Sequence, residues 1–412
     1  MKQAQQLRWY MTTLFLLAVT TLTWAYDFAV DGIYYNRNPD GTSVYVTYKT
    51  TSYNSYSGTV VVPSTITYDG ITYDVTSIGN RAFYNCSGLT SITIPSCIAS
   101  IGNSAFYGCA GLTSVRIPNS ITSIGSYTFY GCSGLKAVSI PKSVTDIGNS
   151  AFGYCSSLVS VIIPNSVKTI GERAFRWCTG LTSVTIPNSI AAIGSSAFYD
   201  CTSLTIVDFA SIENLCEIKF SDSYSNPLFY ANHLYVKGQE VNEAVIPDGV
   251  TNIGDFAFLN CTGLTSVSIP SSVTSIGKYT FRNCTGLQSI TIPGRVISIG
   301  DYAFSGCSRL EIVICKAVNV PDIGVSAFYN VSQYTGTLYV PAGSVDAYKS
   351  TGQWQDFGKI LPITPTAVEN MTTDNISSID REMPIYDLQG RRLPKKPTRG
   401  LYIQGGKKFF AR

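Results

Sequence analysis

Residues 100–122 read SIGNSAFYGCAGLTSVRIPNSIT, and the chain says nearly the same thing on either side. The preceding copy, from Ser77, is SIGNRAFYNCSGLTSITIPSCIA, and the following one, from Ser123, is SIGSYTFYGCSGLKAVSIPKSVT. The glycine of the "IG" pair recurs at Gly79, Gly102, Gly125, Gly148, Gly171 and Gly194, always 23 residues apart. The register resumes at Gly254, Gly277 and Gly300 and slips by one at Gly324. Between Gly194 and Gly254 lie 60 residues, which reads as two degenerate coils carrying an insertion. A period of this length marks a solenoid, so the 412 residues count repeats and not separate domains.

The letters that stay constant define the unit. Ile78, Ala82, Phe83, Cys86, Leu89, Ile92, Ile94, Ile98 and Ile101 have apolar or small counterparts in every regular copy. Ile92 and Ile94 alternate with Ser91 and Thr93, the period of a strand with one buried face. Pro95 ends that strand, and Ile98 to Ile101 forms a second extended piece on the return side. The "IG" glycine is expected to permit a positive φ in the turn that follows. The stretch NSAFYGC is too short for an ordinary helix and reads as one helical or 3₁₀ turn. The fold class is therefore an α/β solenoid: a right-handed superhelix of 23-residue coils, each a strand plus a short helical turn, behind a β-rich N-terminal cap. One coil cannot fold alone, because fixing each backbone costs about 1–2 kcal/mol and its few buried side chains supply only about 2 kcal/mol apiece. Stacking is what makes the unit viable.

The expected organisation is a signal peptide at 1–25, a cap at 26–76, and regular repeats at 77–204. Degenerate repeats with an insertion follow at 205–246, then regular repeats at 247–341. A C-terminal cap at 342–364 and a linker with a β tail at 365–412 complete it. Lys2 and Arg8 precede an apolar run from Met11 to Leu22, shorter than the roughly 18 residues a membrane span needs. No membrane span is expected in the mature chain. In the C-terminal cap, Ala347, Trp354 and Phe357 are expected to cover the last coil.

Charge excludes one large class of partner. Only 13% of residues are charged and the net charge is +3, with no concentrated basic face for nucleic acid. Nine of the twelve cysteines share one repeat position: Cys86, Cys109, Cys132, Cys155, Cys178, Cys201, Cys261, Cys284 and Cys307. The last unit places Val331 there, so the position asks for a small buried apolar group. The expectation is a buried, reduced ladder, against the alternatives of sporadic disulfides or zinc. No metal site, cofactor or catalytic residue is expected. The single histidine, His233, lies in the atypical insertion and reads as a surface or hairpin residue.

These residues resemble the BspA-like leucine-rich repeat proteins. The signature C-x-x-L-x-x-[IV]-x-[IL]-P-x-x-[IV]-x-x-IG-x-x-[AT]F matches from about Tyr26 to Thr364. The resemblance implies an exported protein of the Bacteroidetes type, several of whose relatives act as surface adhesins for host matrix proteins or other bacteria. The tail IYDLQGRRLPKKPTRGLYIQGGKKFFAR, from Ile385, resembles C-terminal sorting signals of type IX secretion.

With the core positions occupied, recognition falls to the variable letters. One row faces outward from the strand: Thr93, Arg116, Ser139, Ile162, Thr185, Asp208, Ser268, Thr291 and Ile314. A second follows the core Phe: Tyr84, Tyr107, Tyr130, Tyr199 and Tyr329, joined by Tyr154 and Trp177. Aromatic rings among Ser and Gly suit adaptable recognition; the plainer reading is that they cover the coil edge. The leading expectation is a surface or secreted adhesin-like binding protein whose partner is a host extracellular or bacterial surface macromolecule. The alternatives are a structural envelope protein, or a glycan-binding or carbohydrate-active protein, which would need paired carboxylates near Phe229 and Tyr230.

Overall fold

The computed structural model describes residues 25–51, 53–331 and 336–364, and beyond them four short strands. The leader expected at 1–25 and the first part of the linker lie outside the described residues, apart from Ala25.

Each regular coil has three hydrogen-bonded sides. Front strands such as Ser114–Arg116 and Ala137–Ser139 pair in parallel, with Val115 opposite Val138. Return strands such as Ser123–Ile124, Asp146–Ile147 and Thr169–Ile170 form a second parallel ladder. The third side is the short helical turn, built from single i→i−3 turns in series. Ala105 N donates to Gly102 O (3.3 Å), Tyr107 N to Ser104 O (3.1 Å) and Cys109 N to Phe106 O (3.2 Å). The alternate amides reach the next coil: Ser104 N to Ser126 O (2.9 Å), Phe106 N to Thr128 O (2.8 Å) and Gly108 N to Tyr130 O (2.7 Å). Each of these amides is thus satisfied, as a tightly packed edge requires. The whole winds as a right-handed superhelix.

The conserved glycine works differently from the sequence expectation. Gly102 does not have a positive φ; a Cβ there would lie 2.5 Å from Asn80 N of the preceding coil. Gly171 and Gly194 meet the same wall of neighbouring backbone, so the residue is small because coils touch there. Left-handed backbone instead falls two and six residues later, at Ser104 and Gly108 in this coil and at the equivalent places in the others. The residue after the glycine adds a side-chain rung: Asn80 Oδ1 accepts from Asn103 N (2.8 Å), Asn103 Oδ1 from Ser126 N (2.9 Å), and Asp255 Oδ1 from Lys278 N (2.8 Å).

Inside, the phenylalanines stack face to face from Phe83 to Phe198 with centroids 5.0–5.4 Å apart, and again from Phe258 to Phe328. Tyr56 closes the first stack at 4.6 Å from Phe83. It lies beside a cap sheet in which Phe28–Val30, Ile33–Arg37 and Ser43–Thr47 are antiparallel, and Ile71–Ile78 pairs in parallel with the first return strand, Ser100–Ile101. At the other end Trp354 and Phe357 pack on Phe328 at 5.4 and 5.2 Å. Ala347, expected to join them, faces solvent; the helix Val345–Lys349 turns Tyr348 inward instead, and its hydroxyl donates to Ala317 O (2.9 Å).

The 60-residue gap holds two long coils. Ser221 takes the glycine's place, its amide donating to Ile193 O (3.2 Å), so Gly194 to Ser221 spans 27 residues and Ser221 to Gly254 spans 33. Helix Ile212–Glu217, capped by Ser211, precedes the return strand Lys219–Phe220 of the first, and the hairpin Leu234–Val236 with Gln239–Glu240 lengthens the second coil. Both parallel ladders are interrupted here and restart at Glu243–Val245 and Asn252–Ile253. The tail forms its own antiparallel sheet in the order Arg392–Leu393, Ile385–Tyr386, Gly400–Gln404, Lys407–Ala411.

Candidate binding surface

The turn edge carries a continuous column of rings. From Tyr84 the centroids step 4.5 Å to Tyr107, 4.7 Å to Tyr130, 5.1 Å to Tyr154, 5.7 Å to Trp177 and 6.3 Å to Tyr199. The column extends past both ends of the row seen in the sequence. Tyr53 and Tyr48 of the cap continue it at 5.0 and 4.7 Å, and Tyr224, Phe229 and Tyr230 of the insertion continue it at 4.9, 4.7 and 5.0 Å. Tyr230 also anchors the far end, its hydroxyl accepting from Asp200 N (2.7 Å). Tyr329 belongs to the opposite end of the array and is exposed.

The column survives a change of register. Tyr84, Tyr107, Tyr130 and Tyr199 follow the core Phe directly, but the two coils between offer Gly153 and Arg176 at that position. Their rings come from the next residue, Tyr154 and Trp177. Gly153 leaves room: a Cβ there would press on the Tyr130 ring at 3.0 Å. Tyr154 and Trp177 both have φ of 60°. The equivalent residue elsewhere is Asn85, Gly108, Gly131, Asp200, Asn260, Asn283, Gly306 or Asn330, types that adopt this backbone readily. Trp177 Nε1 is in addition buried without a hydrogen-bond partner among the described residues.

Stacking decides what the column can present. With interplanar angles of 7° and 16° between the first three tyrosines, their faces lie against one another and are occupied. Their edges and hydroxyls are what remain for a partner. The rings are half-buried rather than fully exposed, with Tyr154 the most open at 40%. Burial, with the neighbouring phenols adding to it, pushes the Tyr107 and Tyr130 hydroxyls up, so they stay neutral donors and acceptors at physiological pH. Cations border the column: Arg81 lies 6.0 Å from the Tyr84 centroid and Arg176 lies 5.1 Å from that of Tyr199.

A second column, not recognised in the sequence, occupies the later repeats. Phe256, Tyr279 and Tyr302 stack at 5.2 and 5.1 Å, with Lys278 and Arg282 over the first two rings at 5.7 and 5.3 Å. Its signal was present as an aromatic residue two places before the core Phe in DFAF, KYTF and DYAF, at the same 23-residue period.

The strand row is separate. Arg116 sits opposite Ser139, and Ile162 opposite Thr185, which is opposite Asp208. Thr93 and Arg116 share a shallow front groove of about 460 Å³, lined by none of the column's rings. The structure therefore does not join the two rows into one site.

The remaining reactive groups have structural partners. Each thiol from Cys109 to Cys201 lies 3.0–3.2 Å from the carbonyl of a Phe one coil back, as do Cys284 and Cys307. Burial pushes the Cys178 thiol up to about 12, far from a reactive thiolate. His233 bridges its hairpin to Glu240 at 2.6 Å, and Asp222 accepts from Ser195 Oγ (2.6 Å) and Ser196 N (3.0 Å). Among the described residues no group of three or more His, Cys, Asp or Glu is placed to hold a metal ion. No described helix is long and apolar enough to cross a membrane.

Comparison with known families agrees with the coil. The model of the BspA type leucine rich repeat region matches residues 63–161, 145–235 and 229–346. The chain belongs to this BspA-type leucine-rich-repeat family. Among solved structures it is similar to a leucine-rich repeat protein from Bacteroides ovatus, at 28% identity over 82% of this chain and 100% of the other, with a TM-score of 0.42. The leucine rich repeat protein of T. pallidum is 32% identical over 44% of this chain and 80% of its own, with a TM-score of 0.39. A leucine rich cell surface protein from Faecalibacterium prausnitzii is 23% identical over 83% and 96%, with a TM-score of 0.40. No curated protein matches. In this BspA-type array the core residues are the family's constant letters, whereas the column rings stand at positions its signature leaves free.

Proposed function

We propose that this protein is an exported, surface-held or secreted binding scaffold that recognises a host extracellular or neighbouring-cell macromolecule without turning it over, through the ring column from Tyr84 to Tyr199. The observation that carries this reading is the pair Tyr154 and Trp177. A left-handed backbone costs a bulky residue about 1–2 kcal/mol, which cancels most of the about 0.5–1.5 kcal/mol gained per ring contact. Trp177 adds a buried unpaired donor. Strain offsets much of what the rings contribute there, and Asn or Gly serves the other coils without it; that both coils nonetheless keep a ring leaves the surface unbroken.

The column's shape favours a protein partner over a glycan. Sugars stack on free aromatic faces, and here the faces of Tyr84, Tyr107 and Tyr130 lie against one another, as do those of Tyr154 and Trp177. Edges, hydroxyls and bordering arginines spaced one coil apart suit an extended protein surface, where many modest contacts sum. Thr93, Arg116, Ser139 and Thr185, on the front face, are assigned a secondary role. Export is supported by the charged and apolar leader, and the basic tail from Ile385 is read as a sorting segment on its GRR and GLYI sequences.

The test is a binding screen of the mature chain against immobilised matrix proteins and bacterial cells, repeated with Tyr107, Tyr130 and Trp177 all replaced by Ser. Loss of at least tenfold in affinity with the array still folded supports the column. Unchanged binding by that variant, or cleavage of the partner by the parent protein, sinks the proposal.

A further inference from the structure

The front ladder begins with an open edge. Gly58–Val61 pairs in parallel with Leu89–Thr93 on one side, and among the described residues no strand pairs with its other side. Gly58 N and Val62 N donate inward to Gly88 O and Thr93 O, so with the two-residue alternation of a strand Thr59 and Val61 direct their amides outward. An exposed edge of this kind is a template for another strand unless something blunts it. Here it is not covered but bordered. The tip of the first hairpin, Val30 to Ile33, stands across from it, leaving a groove of about 530 Å³.

The groove has a defined chemistry. Ile33, Val60 and Ile66 are buried apolar groups in its wall, and Val61 on the edge itself is 60% exposed. Tyr35 also lines it. Its side chain is fully buried, yet its hydroxyl has no hydrogen-bond partner among the described residues. A buried unpaired hydroxyl costs about 1–3 kcal/mol, which a ligand acceptor would recover. Burial, with the charge of Asp31 adding to it, pushes that hydroxyl up, so it is a donor waiting for an acceptor. Among the described residues of the lining Asp31 alone is charged.

We infer that this groove is a strand-addition site, which takes an extended peptide in parallel with Gly58–Val61. The occupant has apolar side chains at alternate positions, for the wall, and a Lys or Arg that reaches Asp31. Its backbone amides and carbonyls complete the ladder, and one of its carbonyls accepts from the Tyr35 hydroxyl. This is main-chain recognition with alternate-side-chain selectivity. It is independent of the ring column, which lies on another side of the coil, so either can fail without the other.

The probe is the fluorescent peptide Lys-Thr-Val-Thr-Val-Lys with blocked ends, titrated into the mature chain. Two controls accompany it: the same peptide N-methylated at alternate residues, and one with Glu in place of both Lys. Saturation below about 1 mM is expected, with more than tenfold weakening on N-methylation as backbone bonds are lost. Asp31→Asn keeps the fold, because φ is 50° at Asp31 and 78° at Gly32 and Asn-Gly suits such a turn. It should reduce the preference for Lys over Glu about fivefold. Tyr35→Phe should weaken the peptide about three- to tenfold without lowering the melting temperature. Absence of saturable binding, equal binding of the N-methylated peptide, or indifference of both variants overturns the inference.

Discussion

Tyr154→Asn separates a ring kept for the surface from one kept for stability, because the core residue Phe152 lies two positions earlier in the same coil. The substitution removes two ring contacts, to Tyr130 at 5.1 Å and Trp177 at 5.7 Å. At about 0.5–1.5 kcal/mol each these amount to about 1–3 kcal/mol. Burial of a side chain left 40% exposed contributes about 1 kcal/mol more. Against this, Asn tolerates the φ of 60°, returning about 1–2 kcal/mol. The net loss is about 1–2 kcal/mol. Phe152→Ala empties a fully buried position stacked at 5.4 Å on both Phe129 and Phe175 and should cost about 3–5 kcal/mol. Urea unfolding of the mature chain, followed by circular dichroism and by tyrosine fluorescence together, gives both values and checks that the array still unfolds as one unit. A loss from Tyr154→Asn equal to that from Phe152→Ala would show the column to be a second core and refute the argument from strain.

The thiols predict an alkaline limit. Burial raises Cys86 to about 11 and Cys178 to about 12 from 9.0, so folding favours the neutral thiol; that stability is complete below pH 9 and lost as pH rises through 11 to 12. Each such thiol lowers stability by about 1.4 kcal/mol per pH unit above pH 9, so the denaturation midpoint should fall steeply between pH 9 and 11 and Cys178→Ala should flatten the slope by one thiol; a pH-independent midpoint would contradict the buried, protonated ladder. The tail gives a cellular prediction: removing residues 385–412 should leave the array's unfolding unchanged while abolishing its exposure to surface labelling, and undiminished labelling would deny the segment a sorting role.

What could be read in the sequence was whatever repeats. The positions of Phe106, Cys109, Leu112, Val115 and Ile117 follow from periodicity, because a stacked coil buries the same face each time. The glycine follows from the period, but its reason does not. Positive φ and close approach both select Gly, and only the position of Asn80 N decides between them. Ala347 departs from its expected inward position because a five-residue helix shows too little of its period to fix an inward face. The column was partly legible. Its regular members share a register, whereas Tyr48, Tyr53 and Tyr224 come from the cap and the insertion, where no period applies. The open edge at Gly58–Val61 could not be read, since it depends on where the first hairpin lies.

The insertion and the column belong to one arrangement. A stack of rings has two ends, each leaving a face without a neighbour, just as a solenoid has two ends that need capping. The cap supplies Tyr53 and Tyr48 at one end, and the long second coil supplies Tyr224, Phe229 and Tyr230 at the other, the last fixed by the amide of Asp200. Beyond the insertion the rings restart at a different coil position, two residues before the core Phe, with Lys278 and Arg282 over the first two. A break that interrupts both β ladders thus also divides the turn edge into two aromatic columns of different length and coil position. A partner spanning the edge meets two unlike surfaces in a fixed order along the array, which gives the interaction a direction that one uniform repeat could not supply.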